Sequence, residues 1–143
     1  MKTKLINDGP QRTFAVVLNT GDEVVQCLTA FAKEHGLSAS QFTGLGAFSD
    51  VVLGYFDWQK KDYHKIPIRE QVEVVSLVGD IAFGQEGPTL YPHVVVTKSD
   101  GTAHGGHLME AHVRPTLEVV VTESPAHLQR QPDKETGLAL IRL

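Results

Sequence analysis

Apolar residues recur along the chain with two different periods. Between Asp22 and His35 they fall at helical spacing, as Val24, Val25, Leu28, Phe31 and Ala32, the stripe of an amphipathic helix. Thr20 followed three residues later by Glu23 reads as a capping box, Asp22 and Glu23 suit the positive helix N-terminus, and Gly36 can take the left-handed conformation that ends a helix. The spacing predicts a helix from about Asp22 to His35. Elsewhere Val, Ile, Tyr and Phe stand in short runs between Gly, Pro and Asp, which predicts strands. These are Thr13 to Leu18, Gln41 to Leu45, Val51 to Asp57, Gln71 to Phe83, Tyr91 to Lys98, Thr102 to Val113, Leu117 to Glu123 and Leu138 to Arg142. One helix with about seven strands makes an α+β domain with a largely antiparallel sheet. Thr122 to Lys134, with two prolines, reads as an ordered surface connection. No repeat or linker interrupts the 143 residues, so a single domain over residues 1–143 is expected.

Composition narrows the function classes. With 41% hydrophobic and 21% charged residues, the chain can bury a core and is neither disordered nor fibrous. No uncharged apolar run approaches the ~20 residues of a membrane-spanning helix, and Met1 to Asn7 lacks the apolar stretch of a signal peptide. The expected compartment is the cytoplasm, with no membrane partner. Cys27 is the single cysteine, so a metal would have to be held by His or carboxylate; on the apolar side of the helix, Cys27 itself reads as a small core residue. The formal net charge of −4 opposes binding to a phosphate backbone. The basic clusters, Lys60-Lys61 with His64-Lys65 and Lys2 with Lys4, are interleaved with Asp or neutral residues.

Candidate chemistry concentrates between Tyr91 and His107. Two strand-like segments flank Ser99-Asp100-Gly101. If these three residues form the loop, Lys98 pairs with Thr102, opposed residue numbers sum to a constant, and His93 lies directly across from His107 with Cβ atoms ~5 Å apart. Two imidazoles so placed can share a metal. A two-residue Asp100-Gly101 loop would instead set Leu108 opposite His93 and send His107 to the other face. Gly105 and Gly106 also permit a bulge or the close approach of another backbone. Tyr91 shares the face of His93 and can supply a phenol oxygen or a supporting hydrogen bond. His112 has the wrong parity to join His107 unless a bulge lies between them. The alternative without metal leaves His93 and His107 as hydrogen-bonded strand residues.

The run Gly105-Gly106-His107-Leu108-Met109-Glu110-Ala111-His112-Val113, followed by Pro115-Thr116-Leu117-Glu118-Val119-Val120-Val121, closely resembles the prokaryotic branch of the plants-and-prokaryotes-conserved (PPC) domain family. Gly44-Leu45-Gly46-Ala47-Phe48, Leu53-Gly54-Tyr55-Phe56 and Glu73 to Ala82 resemble further segments of that family in the same order. The resemblance implies a compact antiparallel α+β fold that assembles as a homotrimer, with a histidine-rich site that binds metal in some members. His93 matches the second histidine of the family's His-x-His and His107 the later one, while Tyr91 stands where the first histidine would be. The candidate metal ligands are His93 and His107, which the resemblance implies, with His112, Tyr91, water or a neighbouring subunit's group as the further ligand, and zinc is the expected divalent transition metal. Family naming also implies DNA binding, but the chain has no AT-hook. The expected function is therefore a homotrimeric binding or assembly module with a metal near His93 and His107. The alternatives are a metal-dependent enzyme with Glu110 or Glu118 as general base, and a DNA-associated regulatory protein. No Gly-x-Ser-x-Gly elbow or dinucleotide fingerprint is present.

Overall fold

β-Branched alternation becomes strand pairing in almost every segment that carries it. The computed structural model describes Met1–Leu143. Its order is β1 (Lys2–Asp8), β2 (Arg12–Asn19), α1 (Val24–His35), β3 (Ala39–Asp57), β4 (Asp62–Ile68), β5 (Val72–Gly84), β6 (Gly87–Thr97), β7 (Ala103–Glu123), β8 (Gln129–Pro132) and β9 (Ala139–Arg142). The fold is α+β, with one helix on a mostly antiparallel sheet, as expected. The strands pair in the order β1-β2-β7-β3-β5, and β6 pairs with both β5 and β7, so β7, β3, β5 and β6 close on one another. A parallel bridge between Phe83 and Gln129 attaches the β8–β9 hairpin to β5.

The inward-facing side chains form an apolar cluster of 25 buried residues, among them Phe42, Phe48, Leu53, Leu77, Ile81, Leu108 and Leu117. Helix α1 packs against β6 and β7 and adds Val24, Leu28, Phe31 and Ala32 to this core. Each buried Val, Leu or Phe among them contributes about 1.5–3 kcal/mol relative to exposure.

Three expectations are corrected. The helix starts at Val24, not Asp22, and its cap is Glu23, whose carboxylate accepts from the Val25 amide at 3.2 Å and the Gln26 amide at 2.7 Å. Asn19 to Asp22 are used up in a turn, closed by the Asp22 amide on the Asn19 carbonyl at 3.0 Å, so the Thr20 hydroxyl donates to the Pro115 carbonyl instead. The other end is as expected: Gly36 takes φ 61°, ψ 39°. Second, there are nine strands rather than about seven. β1 and β4 are exposed edge strands, Lys-Thr-Lys-Leu-Ile-Asn-Asp and Asp-Tyr-His-Lys-Ile-Pro-Ile, in which no buried stripe marks the sequence. His64 therefore lies on a strand, opposite Tyr55, and not in a loop. Third, two pairs of expected strands are continuous: β3 runs through irregularities between Gly44 and Asp50, and β7 runs through Arg114 and Pro115. Part of the expected surface connection is β8.

Candidate metal centre

The turn between β6 and β7 decides which side chains meet. The Asp100 carboxylate accepts from the Thr102 amide at 2.9 Å and from its hydroxyl at 2.6 Å. The Gly101 amide reaches the Lys98 carbonyl at 2.9 Å, the Lys98 amide reaches the Thr102 carbonyl at 3.0 Å, and Gly101 has φ 79°. The loop is therefore the three-residue Ser99-Asp100-Gly101, which excludes the two-residue register. The ladder runs Thr97↔Ala103, Val96↔His104, Val95↔Gly105, Val94↔Gly106 and His93↔His107. On its other edge His107 pairs with Gly54 of β3, and a Cβ on Gly106 would stand 2.7 Å from the Gly54 carbonyl oxygen, so the close backbone approach anticipated at the glycine pair is present.

The rings of His93 and His107 lie 5.6 Å apart at an interplanar angle of 87°. Tyr91 lies 5.1 Å from the His93 ring and 5.6 Å from the His107 ring. Tyr63, which the sequence reading did not single out because β4 was not expected, stacks 4.8 Å from His107. His107 is half-buried, and its Nδ1 is enclosed without a hydrogen-bond partner. Burial first, and the neighbouring His93 second, lower its pKa and keep the imidazole neutral, the form that ligates metals.

His112 does not join this pair. Met109 is an extra residue in the ladder between Leu53↔Leu108 and Val52↔Glu110, a bulge that restores the parity of His112. But His112 pairs with Asp50 whereas His107 pairs with Gly54, and four residues of strand span about 13 Å. Its Nδ1 is hydrogen-bonded to Asp50 Oδ1 at 2.8 Å. No group of three or more His, Cys, Asp or Glu side chains is placed to hold a metal. Glu110 acts among the charges around His112, and Glu118 lies between Val17 and Leu45, so neither completes the pair.

The Asp50–His112 pair is instead a pH-dependent tie between β3 and β7. Its hydrogen bond to Asp50 raises the His112 pKa. For Asp50 burial pushes upward, but hydrogen bonds from His112 and Ser49 outweigh it and leave the carboxyl below its usual range. The His112 contribution is complete below the unfolded pKa of about 6.5 and is lost as pH rises through the raised folded value. The Asp50 contribution is present above about 3.9 and is lost as pH falls through the depressed one. With both side chains about 40% exposed, the pair contributes on the order of 0.5 kcal/mol after screening. Asp50→Asn should therefore cost stability at pH 5.5 and much less at pH 9 in thermal melts. An equal cost at both pH values contradicts the ion pair.

Behind Tyr91 lies a second feature absent from the sequence reading. Arg130 of β8 is buried, bonds Asp80 through Nη2, donates from Nη1 to the Ala139 carbonyl at 3.0 Å, and holds its guanidinium 5.2 Å over the Tyr91 ring. A pocket of about 180 Å³ opens between Tyr63, Leu90, Tyr91, His107, Arg130 and Leu140.

Residues 6–125 match the family profile of the Plants and Prokaryotes Conserved (PCC) domain. A solved metal-containing protein from Archaeoglobus fulgidus is 31% identical with TM-score 0.85, over 99% of this chain and 97% of that chain. A plant- and prokaryote-conserved protein from Pyrococcus horikoshii is 28% identical with TM-score 0.86, over 99% and 95%. A protein from Bacteroides thetaiotaomicron with a provisional DNA-binding name is 29% identical with TM-score 0.87, over 98% and 96%. No functionally curated protein matches.

Proposed function

The chain belongs to the Plants and Prokaryotes Conserved (PCC) domain family, and on that footing we propose that it is a self-associating binding module that holds a divalent transition metal, zinc, between His93 and His107. The observation that carries this reading is the enclosed, unpartnered Nδ1 of His107 in a ring set against His93. Buried polar atoms are nearly always paired, and a neutral imidazole facing a second one fits a metal bound by nitrogen. Tyr91 supplies a phenol oxygen in place of a third imidazole, and water completes the set. The metal-containing name of the Archaeoglobus relative supports the assignment. Such an ion supplies Lewis acidity, and the chain's own residues supply the two nitrogens, with the rings of Tyr63 and Tyr91 beside them. Zinc should raise the melting temperature of wild-type protein, by about 2.7 kcal/mol of stability at a hundredfold excess over Kd. The rise should vanish in His107→Ala; an equal rise in that variant overturns the site.

Self-association is supported by the outer face of the sheet. Leu45, Val75, Val78 and Val120 remain 63%, 51%, 46% and 45% exposed on neighbouring strands, an apolar patch of the kind that marks an interface. Ladder partners run in one row from Val120 to Thr43, Val78, His93 and His107, so association brings a neighbouring chain beside His93. Three copies around one axis are the assembly we propose. Light scattering at micromolar concentration should give three chains per particle for wild type and one for Leu45→Glu/Val120→Glu. A monomeric wild type contradicts the assembly. Duplex DNA is not the partner on this reading, because Lys60, Lys61 and Lys65 alternate with Asp57 and Asp62 in a chain of net charge −4.

A further inference from the structure

One carboxylate interrupts the apolar outer face of the sheet. Glu118 is exposed on β7 and stands in the ladder between Val17 of β2 and Leu45 of β3. With Val75, Val78 and Val120 these residues line an open groove of about 490 Å³. None of the chain's ion pairs includes Glu118. Association through this face takes the carboxylate out of water, which is strongly unfavourable unless a cation arrives with the partner. Cations stand on the same face. Lys2 and Lys4 of β1 lie opposite Val17 and Ala15, two residues that line the groove. Both lysines are exposed, and neither belongs to an ion pair within the chain. Lys2, Val17 and Glu118 form one cross-strand row, so the backbones of Lys2 and Glu118 are two strands, about 10 Å, apart.

The face is thus basic along its β1 side, acidic at its centre and apolar between and beyond. Such a surface complements a second copy of itself displaced across the strands, because one chain carries both halves of the ion pair. We propose that Glu118 of one copy pairs with the neighbouring copy's Lys2 and Lys4, and that this pair sets the register of the self-association face. The lysine stems then lie along the apolar groove while their ammonium groups reach the carboxylate. Each copy receives the lysines of one neighbour and offers its own to the other, a heterologous contact that makes a ring when the rotation closes. The inference rests on the self-association reading. It deepens that reading by naming which side of the sheet meets which and the charges that decide it.

Light scattering over a concentration series reads the assembly, and a thermal melt of each variant checks that these exposed substitutions leave the fold intact. Glu118→Lys, and separately Lys2→Glu/Lys4→Glu, should weaken association at least about a hundredfold, because each sets like charges against one another across the contact. Combining the three substitutions swaps the charges and should restore association to within about tenfold of wild type. Cross-linking of the wild type provides a second arm that needs no substitution. A carbodiimide joins a carboxylate to an amine in contact with it, so in a mixture of isotopically light and heavy chains the Glu118 peptide should be linked to a Lys2 or Lys4 peptide of the other label. Single-charge variants that associate like wild type, a charge swap that stays dissociated, or links confined to peptides of one label overturn the ion pair and leave self-association standing. A monomeric wild type overturns both.

Discussion

Glu123→Ala should lower the stability of the protein by about 4 kcal/mol, a drop in melting temperature of more than about 10 °C. Glu123 ends β7 and is only 6% exposed. Its carboxylate accepts from the Ser38 amide at 3.0 Å, the Ala39 amide at 3.2 Å and the Ser40 hydroxyl. Those donors open β3, so one side chain ties the end of the longest strand to the start of its main partner. Removal leaves two backbone amides and a hydroxyl without an acceptor in a region water does not reach, and each such loss costs about 1–3 kcal/mol. Ser40→Ala removes one donor and leaves the carboxylate two amides, so it should cost about 1 kcal/mol. Chemical denaturation of the two variants checks the ratio. Similar small losses in both would mean that the carboxylate does not act as the clasp.

Gly46→Ala should cost about 3 kcal/mol, the next largest effect. Gly46 sits where the registers of β3 with both β5 and β7 shift. An added Cβ would land on the Thr116 carbonyl oxygen and stand 2.8 Å from Leu117 Cα. Both obstacles are backbone, so neither can turn aside as a side chain would. The strand pair must separate locally, and the irregularity that lets β3 run unbroken from the core to the histidine pair is lost. A thermal melt within about 1 °C of wild type would contradict this steric account.

The parts legible in the sequence are those set by local chemistry. Ser99-Asp100-Gly101 marks a hairpin in the sequence, with a three-residue and a two-residue loop both open to it; the Asp100 bond to Thr102 and the positive φ of Gly101 select the three-residue loop, and that turn sets His93 against His107. Gly36 likewise marks the end of the helix. The helix starts later than its capping pattern predicts because of one competing local bond: Asn19 to Asp22 form a turn that keeps Thr20 out of the cap. Edge strands carry no sequence signal for a different reason. β1 and β4 are recruited by pairing with β2 and β3 and bury almost nothing, so no periodic stripe is written into them. The same gap hid Tyr63, which reaches His107 through β4. Arg130 and Glu123 were illegible because their importance comes from partners 50 and 83 to 85 residues away. The parity of His112 was undetermined for want of the Met109 bulge. Once that bulge is placed, distance along the strand and the bond to Asp50 remove His112 from the candidate ligands.

The reading of the molecule as a metal-holding module is tested most directly by elemental analysis of protein purified without an affinity tag and reconstituted with zinc. Wild type, His93→Ala and His107→Ala are compared at equal oligomeric state. The predicted result is one divalent ion per chain in wild type and none in either variant. A wild type that holds no metal, or a His107→Ala variant that holds as much as wild type, would contradict the assignment of the paired histidines.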